Sequence, residues 1–107
     1  MKNSDNKVIE YIFEIGENNT TNKREIKKAK ETLFNFGLGG FNVVLCSGFW
    51  IDREDKNKVY NEKSYKISYL DFDGILNINK ASKLKEVLKE NLKQKDILLT
   101  TTTKTIY

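Results

Sequence analysis

The chain has 107 residues, of which 38% are hydrophobic, 32% charged and 11% aromatic. This composition is typical of one folded domain with a charged surface, and the length excludes a multidomain enzyme. Histidine and proline are absent and Cys46 is the one cysteine. The sequence therefore excludes Ser-His-Asp and Cys-His catalysis, Cys/His zinc sites and an internal disulfide. We predict a single domain over residues 1–107, without a metal or a cofactor.

The formal charge is +4, but the 19 basic residues are interleaved with 15 acidic ones. This mixture favours a solvated surface over a nucleic-acid interface. The first six residues are polar where a signal peptide has an apolar run, and no apolar stretch approaches the roughly 20 residues that span a bilayer. We expect a cytoplasmic protein that contacts neither membrane nor nucleic acid.

The first half of the chain predicts a strand and a helix. Residues 8–15 alternate between two faces with a period of two, which is typical of a strand. A helix is predicted from Asn22, because Glu25 follows three residues later in an approximate capping box. Gly37 is the first of three glycines that end this helix. The apolar stripe of the helix consists of Ile26, Ala29, Leu33 and Phe36.

The second half predicts a long hairpin, a helix and a strand. Residues 41–51 and 59–72 are rich in strand formers, and the charged segment 52–58 separates them. Asn79 is the predicted N-cap of the second helix. The inner stripe of this helix is predicted to be Ala81, Leu84, Val87, Leu88, Asn91 and Leu92. Residues 97–103 end in four threonines, whose β-branching favours a final strand.

The predicted order is therefore βαββαβ, which is typical of an α+β, ferredoxin-like sandwich. Right-handed crossovers place both helices on one face of a four-stranded antiparallel sheet. The other face would carry aromatic and aliphatic side chains, so we expect oligomerisation through the sheet to cover it. A trimer or a dimer is expected, with any ligand sites in the clefts between subunits.

The hairpin carries the most unusual residues of the chain. If its turn centres near Lys56, Trp50 lies opposite Glu62. An aromatic wall with a carboxylate beside it suits a purine or a sulfonium ligand. Aromatic residues also commonly stabilise hairpins, so a cross-strand packing pair accounts for the same residues.

Other segments have both a functional and a structural interpretation. Amides of the 16–21 loop, which includes Asn18 and Asn19, are suited to an anion, although these residue types also form ordinary turns. Asp71 and Asp73 supply too few oxygen ligands for a hard cation. Two glutamates of the first strand, the glycines after the first helix and Cys46 are interpreted as surface charges, turn formers and a packed thiol.

Short motifs spread over nearly the full length resemble those of a group of small bacterial and bacteriophage proteins. The motifs are Phe13-Glu14-Ile15-Gly16, Gly40-Phe41-Asn42-Val43-Val44, Gly48-Phe49-Trp50, Glu62-Lys63-Ser64 and Lys95-Asp96-Ile97-Leu98-Leu99. The architecture resembles that of the trimeric PII-like proteins. Among phage members of this kind, the nearest functional analogy is S-adenosylmethionine lyase.

This resemblance implies a homotrimer that cleaves S-adenosylmethionine to homoserine lactone and methylthioadenosine, and so acts against host defence in the host cytoplasm. It implies Glu62 and Tyr65 as catalytic residues. The implied ligand-binding residues are Trp50, Phe49, Ser64, Lys63, Asn18 and Asn19. Phe49 departs from the pattern, because a hydroxylated aromatic residue is more useful at this position.

Two alternatives to the lyase remain open at this point. A PII-like oligomer can trap a nucleotide or a nucleotide-derived signal without turnover, which requires only stacking and anion donors such as Lys63, Lys66 and the amides of residues 18–21. The open sheet can instead bind a protein, so that the partner is a host defence protein.

Overall fold

The computed structural model describes residues 6–16 and 23–107, apart from the side chains of residues 23, 49–50 and 60–63. The predicted βαββαβ order is confirmed along this part of the chain. Its elements are β1 (Lys7–Gly16), α1 (Lys23–Asn35), β2 (Asn42–Ile51), β3 (Val59–Leu70), α2 (Ile78–Leu92) and β4 (Leu98–Thr105).

The four strands form one antiparallel sheet in the order β2-β3-β1-β4. The first strand of the chain is therefore central, and it pairs with β3 on one side and β4 on the other. Each helix connects two parallel strands that are separated by one antiparallel strand: α1 connects β1 to β2, and α2 connects β3 to β4. This topology confirms the predicted ferredoxin-like fold.

Alternate residues of the two central strands form the floor of the core. The buried strand residues are Tyr11, Phe13, Ile15, Tyr65, Ile67 and Tyr69. The helices cover them with a second set, consisting of Ala29, Leu33, Ala81, Leu84, Leu88 and Leu92. Both helices thus pack on the face of the sheet that carries the odd-numbered residues, which we call the helix face. The even-numbered residues form the open face.

Both helices begin and end near their predicted limits. Gly37 has φ 105°, a left-handed conformation that glycine adopts without strain, and so ends α1 as expected. The predicted cap Asn22 lies outside the described residues. With 13 and 15 residues, neither of the two helices in the described part is long and apolar enough to cross a membrane.

The predicted cap of α2 is wrong by two residues. Asn77 is the N-cap, and its side chain accepts a hydrogen bond from the backbone N–H of Lys80 at 2.8 Å. Asn79 lies in the first turn. The preceding turn is fixed by Asp71, whose carboxylate accepts hydrogen bonds at 2.8 and 3.1 Å from the backbone N–H groups four and five residues later. This turn also ends β3 at Leu70, two residues before the predicted end.

The hairpin formed by β2 and β3 extends beyond the helices. The molecule measures 57 × 28 × 22 Å with a radius of gyration of 16.1 Å. A compact chain of this length has a radius of about 13 Å. Leu45, Ile51 and Val59 belong to the helix face by register but are 71%, 57% and 61% exposed. In the described part of the chain, neither helix covers these three apolar residues.

Truncation of Phe13 is expected to lower the free energy of unfolding by about 3–5 kcal/mol, the usual cost of removing a buried aromatic ring. Phe13 is fully buried in the central strand, between Ile67 of β3 and Leu99 of β4. Urea unfolding of Phe13→Ala measures the loss. The matched control is Ile9→Ala on the same strand and face, because Ile9 is 43% exposed. Equal losses in the two variants would contradict the central position of Phe13.

Candidate functional site

The hairpin turn is organised by the side chain of Asp52. Its Oδ1 atom accepts hydrogen bonds from the backbone N–H groups of Glu54 at 2.8 Å and Asp55 at 3.1 Å. The backbone N–H of Asp52 donates to the carbonyl of Lys58 at 3.0 Å and closes the loop. This Asx-type arrangement fixes the register of the two strands that follow from it.

The observed register differs from the expected one by two residues. Trp50 pairs with Tyr60, and Glu62 pairs with Gly48, so the turn centres on Asp55 and not on Lys56. The expected direct pairing of Trp50 with Glu62 is therefore wrong. Because residues two apart share a face, strand positions 50 and 62 are diagonal neighbours on the open face.

The predicted site residues divide between the two faces. Ser64 is half-buried on the open face, where it pairs with Cys46 and Gly16. Tyr65 is fully buried on the helix face. The remaining predicted site residues, or their side chains, lie outside the described part of the structure. They are Phe49, Trp50, Glu62, Lys63, Asn18 and Asn19.

One end of the sheet brings together several connections. Gly16, the last residue of β1, pairs with Ser64, and Glu14 pairs with Leu98, the first residue of β4. At this end of the sheet, β1 ends, β4 begins and the hairpin projects. We call it the hairpin end. The segment between α2 and β4 also lies here, and its first residue, Lys93, caps α2 with φ 53°.

A polar cluster joins three elements at the hairpin end. The Tyr65 hydroxyl donates to Oε1 of Glu25 at 3.1 Å, and Nε2 of Gln94 donates to the same oxygen at 3.2 Å. Tyr65 lies in β3, Glu25 in the first turn of α1, and Gln94 just after α2. From the sequence, Glu25 is predicted only as part of a capping box, and Gln94 is not predicted to belong to a site. No local signal links these residues, because 40 and 69 positions separate the bonded pairs.

The buried tyrosines keep their protons at neutral pH. Burial, and then the charge and hydrogen bond of Glu25, raise the pKa of Tyr65 well above the ordinary value of 10. Burial, and then the charge of Asp71, also raise the pKa of Tyr11 and of Tyr69. Tyr65 is thus a neutral hydrogen-bond donor at neutral pH and not a base.

These shifts predict alkaline destabilisation. An unfolded tyrosine ionises near pH 10, whereas the folded ones hold their protons to higher pH, so the unfolded state binds fewer protons in this range. The contribution of these tyrosines to the free energy of unfolding is complete below about pH 10 and is lost as the pH rises above this value. Circular dichroism with tyrosinate absorbance measures the transition. Tyr65→Phe is expected to make the loss of stability with pH shallower, and an unchanged pH dependence in this variant would contradict its contribution.

A cleft of about 520 Å³ lies at the opposite end of the sheet. Its walls include the loop that begins at Gly37, together with Phe72 and Asp73 of the turn before α2. The neighbouring Asp71 uses its carboxylate to hold this turn. Among the described residues, no three acidic, histidine or cysteine side chains are grouped as metal ligands would be. The tyrosine, carboxylate and amide cluster belongs to the hairpin end, which is therefore the better candidate site.

The open face is mixed in character. Lys66 forms an ion pair with Glu14 at 3.6 Å, and Lys104 pairs with Glu10 at 3.3 Å. These glutamates were predicted to be surface charges on one strand face, which agrees with the 36% exposure of the Glu14 side chain but not with the 14% exposure of the Glu10 side chain. Aliphatic residues lie between the ion pairs. They include Val8, Ile12, Val44, Leu70 and Leu98.

No family model matches the chain, and no curated protein matches it by sequence. Among solved structures, a phage S-adenosylmethionine lyase in the apo state has a TM-score of 0.67 and 18% identity, over 99% of this chain and 95% of that one. A phage S-adenosylmethionine lyase in complex with S-methyl-5′-thioadenosine has a TM-score of 0.63 and 17% identity, over 92% and 90%. The ATP complex of GlnK from B. subtilis has a TM-score of 0.63 and 8% identity, over 92% and 83%.

The chain has the PII-like fold. The predicted PII-like architecture and the structural likeness to phage S-adenosylmethionine lyase are both confirmed. At identities of 8–18% the likeness establishes the fold alone. The chemistry has to be argued from the residues of this chain.

Proposed function

We propose that the chain is a small-ligand-binding protein and, most concretely, a phage-type S-adenosylmethionine lyase that acts against host defence in the host cytoplasm. The observation that carries this proposal is the likeness to a phage S-adenosylmethionine lyase over 99% of this chain and 95% of that one, at a TM-score of 0.67. Few residues of either chain lie outside the common fold.

The proposed reaction is an intramolecular substitution. An oxygen of the substrate's carboxylate attacks the carbon next to the sulfonium, and the carbon–sulfur bond breaks as the oxygen–carbon bond forms. The electron pair of the broken bond stays on sulfur, so the products are homoserine lactone and the neutral thioether methylthioadenosine. No proton is transferred, which suits a chain without histidine. The protein has to hold the substrate in its reactive conformation. It also has to exclude water from the carboxylate and the sulfonium, whose charges are lost in the reaction.

The residues of the hairpin have distinct proposed roles. Glu62 binds the ammonium or the sulfonium end of the substrate, and Trp50 forms a wall for the adenine ring. Tyr65 supplies a neutral hydroxyl, in agreement with its raised pKa. The remaining proposed contacts are Phe49, Ser64, Lys63, Asn18 and Asn19.

The register supports a site between subunits. Strand positions 62 and 65 are three residues apart, so strand alternation assigns them to opposite faces of the sheet. Positions 50, 62 and 64 share the open face, whereas Tyr65 and Glu25 meet on the helix face. One ligand contacts both groups when the open face of one subunit meets the helix face of another. This requirement agrees with the proposed homotrimer, whose clefts form between subunits.

Product analysis with native mass spectrometry tests the proposal. The purified protein is incubated with S-adenosylmethionine, and the subunit number, bound mass and products are measured. A trimer that forms methylthioadenosine and homoserine lactone in equal amounts supports the lyase. A protein that binds the substrate without converting it overturns the lyase and retains ligand binding.

A non-catalytic nucleotide trap is the second candidate. It is favoured by the likeness to GlnK in its ATP complex, at a TM-score of 0.63 over 92% of this chain. Binding of ATP or a cyclic nucleotide, without any product from S-adenosylmethionine, would favour the trap. If no small ligand binds, inhibition of a host defence protein becomes the better proposal, with the exposed Leu45, Ile51 and Val59 as the first surface to test.

A further inference from the structure

We propose that the cleft at the end of the sheet opposite the hairpin end binds a small organic cation, an ammonium group on an apolar body. The cleft lies between the loop after α1 and the turn before α2. We call it the glycine cleft, because Gly37, Gly39 and Gly40 belong to its wall. It is separate from the site proposed for S-adenosylmethionine, so the two proposals stand or fail independently.

The glycine cleft is open and large enough for such a ligand. Its volume of about 520 Å³ lies within the range of about 300–1,000 Å³ that is typical of small-molecule pockets. A Cβ atom added at any of its three glycines would meet no described atom within 4 Å, apart from those of the chain neighbours. Phe72, which is 61% exposed, and the exposed Asp73 also line the cleft. Both side chains are therefore accessible to a ligand from solvent.

Aromatic side chains form part of the wall. Tyr69 is buried at the end of β3, Phe41 is half-buried, and Phe72 is exposed. The faces of such rings attract cations, because the ring quadrupole places negative charge there. Leu70 and Ile75 add aliphatic surface to the same wall. This combination suits a cation that carries an apolar body.

Negative charge lies beside these rings. The Asp73 side chain forms no hydrogen bond or ion pair with the residues that the structure describes. Burial, and then the charges of Asp71 and Asp73, raise the pKa of Tyr69, so both carboxylates act on the wall. No lysine or arginine is among the described residues that line the cleft, although the chain has 19 basic residues. The cleft therefore favours a cation over an anion.

An organic cation fits this cleft better than a metal ion does. A hard cation such as Ca²⁺ takes about six to eight oxygen ligands. Within the described part of the chain, no three acidic side chains are grouped for this purpose. The carboxylate of Asp71 already accepts hydrogen bonds from the backbone N–H groups of Ile75 and Leu76. One carboxylate, that of Asp73, and an aromatic face are sufficient for an ammonium group.

Two probes that differ in charge test the proposal. Cyclohexylmethylammonium and cyclohexylmethanol share one apolar body, and amide NMR spectra of the protein are recorded as each is added. The ammonium is expected to shift the signals of residues 37–42 and 68–75. It is expected to bind at least about fivefold more tightly than the alcohol, the combined size of an exposed ion pair and a cation–π contact. Equal Kd values, or shifts confined to other residues, would overturn the proposal.

Asp73→Asn tests the carboxylate. The variant is expected to raise the Kd for the ammonium about twofold to fivefold and to leave the Kd for the alcohol unchanged, because only the charge is removed. Asp73 is exposed, so the fold is preserved, and thermal melting verifies this. The matched control is Glu90→Gln, which removes an exposed carboxylate from α2 and is expected to bind both probes as the parent protein does. An Asp73→Asn protein with the parent affinity for the ammonium overturns the role of this carboxylate.

Phe72→Leu tests the aromatic wall. Leucine keeps an apolar side chain at this exposed position and removes the ring face. The variant is expected to raise the Kd for the ammonium about twofold to fivefold, with a smaller change for the alcohol. Equal losses for the two probes would overturn the cation–π contact.

The outcomes separate this inference from the proposed function. A protein that converts S-adenosylmethionine but shows no shifts at the glycine cleft overturns the inference and leaves the lyase standing. A protein that converts nothing but binds the ammonium at residues 37–42 and 68–75 supports the inference, and the lyase then fails.

Discussion

Replacing Glu62 with glutamine is expected to lower kcat/KM for S-adenosylmethionine about a hundredfold or more, the size that one preorganised electrostatic contact commonly contributes. The substrate carries two cationic groups, and glutamine keeps the size of glutamate while removing its charge. Loss of this contact releases the substrate from the conformer in which its carboxylate faces the reacting carbon. Formation of methylthioadenosine under steady-state conditions measures the effect.

The control for this variant is Glu54→Gln, which makes the same change in charge at an exposed position of the same hairpin. The described hydrogen bond of Glu54 in this turn uses its backbone N–H, so the substitution leaves that contact intact. It is expected to retain the parent rate. A Glu62→Gln protein that melts normally and turns over at the parent rate would show that Glu62 has no part in the reaction.

Mixing two impaired variants is expected to restore activity if the site lies between subunits. Tyr65→Phe subunits retain Glu62, and Glu62→Gln subunits retain Tyr65. In randomly mixed cyclic trimers, a given cleft receives both intact residues with a probability of one half times one half, so about a quarter of the sites are restored. If both residues of a site came from the same chain, mixing would restore no sites.

The measurement requires subunit exchange before the assay. Equal amounts of the two variants are unfolded together in urea, refolded, and assayed beside each variant treated alone. Native mass spectrometry of the same samples verifies that mixed oligomers are present. Mixed oligomers that remain inactive would contradict a composite site, and recovery close to one quarter of the parent activity supports it.

Periodicity alone predicted most of the fold. The alternation through Phe13 identified the central strand, and the spacing through Ala29 and Leu33 identified the inner face of α1. These predictions succeeded because burial of one face of each element dominates the packing of a small two-layer domain. The predicted cap Asn79 failed because both asparagines suit the role, and the turn held by Asp71 selects the earlier one.

The candidate site was predicted less well than the fold. The hairpin register depends on the hydrogen bonds of Asp52, and composition does not indicate where such a turn closes. The separation of Glu62 from Tyr65 could have been predicted, because a three-residue spacing on a strand always changes face. The contacts of Glu25 with Tyr65 and Gln94 could not, since they depend on how α1 and α2 pack against the sheet.

In the proposed oligomer, the projecting hairpin would couple ligand binding to subunit concentration. Leu45, Ile51 and Val59 are exposed on the hairpin, while the buried core lies between the sheet and the two described helices of the same chain. In the proposed oligomer, a dissociated subunit would keep its fold and lose half of each cleft. By mass action, dilution would then dissociate the oligomer, so that activity falls more steeply than the protein concentration. A ligand that fills the cleft would favour assembly.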